Sequence, residues 1–76
     1  MEQDSSNQLY QEVEVNGAHI RFTYVPSGSG FECGPCIRIR VKNPNGHLKQ
    51  GPDIPISHLP SCIAAIVAVA IEGQRQ

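Results

Sequence analysis

Cys36-Ile37-Arg38-Ile39-Arg40-Val41-Lys42-Asn43-Pro44-Asn45-Gly46-His47-Leu48-Lys49-Gln50-Gly51 decides the fold of this chain. Apolar and basic residues alternate with period two and then meet a turn. Side chains on a strand point to opposite faces in succession. Ile37, Ile39 and Val41 therefore line one face while Arg38, Arg40 and Lys42 stand on the other. With Pro44 and Asn45 at the centre of the turn, Val41 pairs with Leu48 and Arg40 with Lys49 on the returning strand. The returning strand is interrupted at Gly51-Pro52 and resumes at Asp53-Ile54-Pro55-Ile56, with Ile54 and Ile56 inward. Pro55 cannot donate to a ladder, which makes this strand an edge or ends its pairing early.

Upstream, the segment 10–15 alternates, with Glu12 and Glu14 opposite in sense to Val13 and Val15. Asn16-Gly17 follows, a strong hairpin signal because both residues tolerate positive φ. A two-residue loop pairs Val15 with Ala18, Val13 with Ile20 and Glu12 with Arg21, so apolar residues meet apolar ones. Pro26-Ser27-Gly28-Ser29-Gly30 reads as a loop.

Downstream, Ser57 is placed to cap a helix, Pro60 suits its first turn and Gly73 its end. Leu59, Cys62, Ile63, Ile66, Val67, Ala70 and Ile71 make one helical face, but the other face, Ala64, Ala65, Ala68 and Val69, is hardly polar. A helix apolar nearly all round is buried on more than one side. The expectation is an α+β fold, ββββα: an antiparallel four-stranded sheet and one C-terminal apolar helix, assembled as a homodimer through Ile66, Val67, Val69 and Ile71. Residues 1–8 and 74–76 read as tails around a single domain at 9–73, the first because nothing beyond Met1 is available to bury.

Seventy-six residues give one small core, and chains this short commonly add a metal, disulfides or a second subunit. The formal net charge of -1 requires any nucleic-acid affinity to come from a local patch. Three cysteines fit a disulfide framework poorly, the acidic N-terminus is the reverse of a secretory signal, and the apolar run 62–71 is short for a bilayer. A cytoplasmic protein with reduced thiols and no membrane association is the expectation.

Two hairpins followed by a C-terminal helix, together with Ile37-Arg38-Ile39-Arg40, Pro44-Asn45-Gly46-His47-Leu48-Lys49-Gln50-Gly51 and Ile54-Pro55-Ile56-Ser57, resemble the transcriptional positive cofactor family of single-stranded-DNA-binding coactivators, relatives of the whirly proteins. The likeness covers about half of the chain. It departs from the family in the uncharged, non-aromatic helix at 61–71 and in Pro52-Asp53, where further cations are the family's habit. The resemblance implies a dimer that binds single-stranded nucleic acid.

Two constellations carry chemistry. Arg21, Arg38, Arg40, Lys42 and Lys49 form a cationic sheet face suited to phosphate, with Tyr24 or Phe31 available for stacking. Against it stand Glu12 and Glu14, which can neutralise the face as cross-strand pairs. Cys33-Gly34-Pro35-Cys36 precedes a strand rather than a helix, which disfavours redox catalysis. With His58 and Cys62 it has the spacing of a structural zinc site, although free thiols and no cofactor are the first expectation. No phosphate loop, paired buried carboxylates or catalytic triad is legible, so the chain reads as a non-enzyme. The function expected first is a single-stranded nucleic-acid-binding accessory; the alternative is a protein-interaction or inhibitor module with no nucleic-acid role.

Overall fold

Asn16 and Gly17 take φ of 52° and 87° and close the first hairpin in two residues. β2 (Leu9–Val15) and β3 (Ala18–Val25) pair antiparallel as Val15 with Ala18, Val13 with Ile20 and Glu12 with Arg21, the expected register. The computed structural model describes residues 1–28 and 34–75. Within them, β4 (Cys36–Lys42) and β5 (Leu48–Pro55) complete an antiparallel sheet, and a 3-10 turn at Ile56–His58 leads into helix α1, Leu59–Gln74.

The sheet has five strands, not four. β1 (Glu2–Gln3) pairs with Tyr10 and Leu9 at the edge of a meander ordered β1-β2-β3-β4-β5. The segment expected to be a structureless tail is ordered by local polar bonds. Asp4 accepts hydrogen bonds at Oδ1 from the amides of Ser6 (2.8 Å) and Gln8 (3.0 Å), while Asn7 turns the chain at φ 62°.

The second turn holds three residues instead of two. Asn43 N–H donates to the His47 carbonyl (2.8 Å), Gly46 N–H donates to Asn43 (2.8 Å), and Gly46 lies at φ 92°. Val41 therefore opposes Lys49, and Lys42 opposes Leu48, one position away from the expected register. A shift of one residue exchanges faces. A bulge opposite Ile39 then restores the phase, so that Arg38 meets Asp53 and Ile37 meets Ile54. Gly51 is needed there: a Cβ on it would collide with the Ile39 carbonyl.

The buried residues Thr23, Val25, Cys36 and Asp53 all lie on the polar face of the sheet. Gly28 crosses above Cys36 and Asp53, so closely that a side chain on it would strike the Cys36 thiol. The face expected to line the core is more open, with Ile37 and Ile39 half-buried and Val41 exposed.

His58, not Ser57, occupies the N-cap of α1, with no side-chain capping bond; the Ser57 hydroxyl and His58 Nδ1 lie 3.1 Å apart. Pro60 sits in the first turn as expected, and the helix runs through Gly73 to Gln74.

Candidate functional site

Cross-strand pairing arranges the polar face in rows. Glu12, Arg21, Arg40 and Gln50 form one; Tyr10, Thr23, Arg38 and Asp53 the next; Glu14, His19, Lys42 and Leu48 a third. Four of the five expected cations thus share a surface. Lys49 does not: the three-residue turn sends it to the apolar face beside Val41. Tyr24 lies on that apolar face too, opposite to the arginines, and Phe31 lies outside the described residues.

Two of the four cations are engaged. Arg21 Nε donates to Glu12 Oε2 at 2.7 Å, and its guanidinium lies 4.2 Å from the centroid of the Tyr10 ring. The hydrogen bond from Arg21 holds the Glu12 carboxyl below its ordinary range, against the opposing effect of desolvation. Arg38 makes a two-pronged bond to Asp53, Nε to Oδ1 at 2.9 Å and a terminal nitrogen to Oδ2 at 3.0 Å. That bond is the first cause of a raised Arg38 pKa. Sequence reading found Glu12 and missed Asp53, which only the bulge brings across from Arg38. Arg40 and Lys42 complete the row of bases, and Arg40 Nε is sheltered without a hydrogen-bond partner among the described residues.

The opposite face is apolar and uncovered. Val13, Ile20 and Val41 make one row, Gln11, Phe22 and Ile39 a second, and Tyr24, Ile37 and Ile54 a third. Val13, Phe22, Tyr24 and Val41 are exposed. Helix α1 does not cover them. Its first turn adjoins Pro52, Ile54 and Pro55, which with His58 and Cys62 line a groove of about 520 Å³, but every described residue after Cys62 is exposed. Ile66, Val67, Val69 and Ile71 stand 48–73% open. With the preceding turn, Ile56–Gln74 is a 19-residue helical stretch whose most apolar 18 residues have a mean hydropathy of 1.6, long and apolar enough by length and composition to cross a membrane.

This openness has a magnitude. A compact monomer of 8.3 kDa exposes about 4,600 Å², whereas this chain exposes 5610 Å². Its radius of gyration is 13.8 Å, against about 11 Å for a compact chain of this length.

Among the described residues, no three histidine, cysteine or acidic side chains converge as a metal-ligand group. Cys36 is wholly buried in the sheet, His58 and Cys62 lie at the start of α1, and Cys33 lies outside the described residues. No family model matches the chain, no curated protein matches it and no solved structure matches it.

Proposed function

We propose that the chain is a non-enzymatic protein-interaction module that acts as a homodimer. The observation that carries this reading is the surplus of exposed surface, about 1,000 Å² beyond a compact monomer of this mass, with most of the exposed large apolar side chains on α1 and the apolar sheet face. Stable interfaces bury about 800 Å² on each partner, so the surplus is of the right size for one protein contact. Water is a poor neighbour for Ile66, Val67 and Val69, and a protein surface is the natural replacement. Sedimentation across a range of protein concentrations tests the reading. A mass of two chains at micromolar concentration is expected; a monomer at every concentration overturns it.

Single-stranded nucleic-acid binding is the second reading, favoured by Arg40 and Lys42, which extend the row of bases beyond the two ion pairs. Neutralisation of Arg21 by Glu12 and of Arg38 by Asp53 leaves it less charge than the sequence offered. A titration of labelled single-stranded DNA at low and moderate salt separates the two readings. Salt-sensitive binding that Arg40→Ala and Lys42→Ala together abolish would establish nucleic acid as the ligand. No binding at low salt leaves the protein-interaction reading.

A further inference from the structure

We propose that α1 of each copy lies on the apolar sheet face of a second copy, so that the two chains exchange helices. The proposal rests on the homodimer reading and adds which surfaces meet. Each chain carries two uncovered apolar surfaces, a helix and a sheet face, and does not bring them together itself. The connection between them is stiff. Pro55 stands at φ -57°, ψ 139°, the Ile56 amide donates to the Pro35 carbonyl (3.1 Å), and Pro60 fixes the first turn of α1. Beyond this turn the helix leaves its own sheet uncovered, with every described residue after Cys62 exposed.

The two surfaces match in charge and size. Residues 59–71 carry no charged side chain, and the only charged side chain on the paired rows of the apolar face is Lys49, at the edge strand. Neither surface offers the complementary charges that would select a different protein. The exposed apolar part of the helix, 63–71, is about 13 Å long, and the four strands β2 to β5 span about 14 Å. Ala70 allows close approach on the helix face where Ile63, Ile66, Val67 and Ile71 supply bulk for the shallow sheet face around Phe22, Tyr24 and Ile39. Reciprocal seating is a closed two-fold arrangement, with the same patch used twice and no open end for further growth. A lipid surface suits the helix by length and composition, but a second copy is the better occupant because reciprocal seating also covers Phe22, Tyr24 and Val41 of the sheet face, which insertion of the helix alone leaves in water.

Mixing carbon-13-labelled and unlabelled full-length chains and recording only contacts between differently labelled copies tests the exchange. Contacts from methyls of Ile66, Val67 and Ile71 to Phe22 or Tyr24 of the other copy are expected. Phe22→Glu, on the sheet, and Val67→Glu, on the helix, should each weaken self-association about tenfold or more, with the far-ultraviolet circular dichroism retained. A dimer whose inter-chain contacts join helix to helix alone, or that tolerates Phe22→Glu, overturns the exchange while leaving the homodimer. A chain that stays monomeric overturns both. Flotation of the chain with phosphatidylcholine vesicles, with Val67→Glu abolishing it, would assign the helix to lipid and overturn the proposal.

Discussion

Arg38 grips Asp53 with two parallel hydrogen bonds, 2.9 and 3.0 Å long, across the one point where β5 changes phase. Asp53 is only 8% exposed and sits beneath Gly28 beside Cys36. The pair therefore belongs to the small buried centre of the molecule as much as to its charged face. An arginine that looks free in the sequence is committed to structure. Its planar fork suits the carboxylate in a way that lysine would not.

Truncating Arg38 leaves the buried carboxylate without its fork. Arg38→Ala should cost about 2–4 kcal/mol, with the upper part reduced because the arginine itself is partly solvated. Urea denaturation at fixed protein concentration measures it. The double variant Arg38→Ala, Asp53→Ala should lose less than the sum of the two single changes, since each single change removes the same two bonds. Strict additivity would mean that the two groups are not coupled.

The bulge makes a separate prediction. At Gly46, φ 92° disfavours any side chain but the surroundings are open, so Gly46→Ala should cost about 1 kcal/mol. At Gly51 the obstacle is backbone, the Ile39 carbonyl, which cannot rotate away. Gly51→Ala should cost more, about 2–3 kcal/mol, and should disturb the Arg38–Asp53 pairing as well. Amide chemical shifts of β4 and β5 would show whether the change spreads along the ladder. Equal costs at the two glycines would remove the reason given for the bulge.

The first hairpin was legible because Asn16-Gly17 admits one loop length, and that length makes every apolar partner agree. Asn43-Pro44-Asn45-Gly46 admits two. Centring the turn on Pro44 and Asn45 gives a two-residue loop, but Gly46 at positive φ adds a third residue and slides the register by one. Leu48 and Lys49 exchange faces as a result, and the bulge at Gly51 exchanges them back before Asp53. Two compensating shifts are hard to read from alternation, which Gly51-Pro52 erases locally. The N-terminal strand escaped for a different reason: its order comes from hydrogen bonds to Asp4, not from burial, and Asp-x-Ser-Asn was the signal available for it. Helix α1 was legible as apolar all round; that its own sheet leaves it uncovered is a matter of direction, which composition does not encode.

Acid should loosen the β1–β2 turn and the β2–β3 ladder. The Asp4 carboxyl is held below its ordinary 3.8, chiefly by the Gln8 amide, and Glu12 below its ordinary 4.5, chiefly by its bond from Arg21. A carboxyl with a lowered folded-state pKa contributes stability that is complete above its unfolded value and is lost as pH falls through the folded one. Stability should therefore be level in these terms above about pH 5 and decline below it as both groups protonate. Glu12→Gln should flatten the acid limb and lower stability near neutrality by roughly 1 kcal/mol. An unchanged acid limb in that variant would exclude Glu12 as a contributor.

Cys36 offers a way to follow opening of the sheet. Its side chain has no exposed surface, and Gly28 lies directly against the sulfur, so a thiol reagent must wait for the structure to open. Cys62, partly exposed at the start of α1, should react sooner, and mass spectrometry of the labelled peptides would distinguish the two sites. Arg38→Ala then becomes a second test of the buried pair. If Cys36 reacts through the same opening that the pair opposes, a loss of about 2 kcal/mol should speed its labelling roughly thirtyfold while Cys62 changes little. A rate that does not respond to Arg38→Ala would mean that Cys36 is reached through a local movement of the segment above it. Acceleration by a zinc chelator in the unaltered chain would instead show that metal protects the thiol, and would restore Cys33, Cys36, His58 and Cys62 as a ligand set.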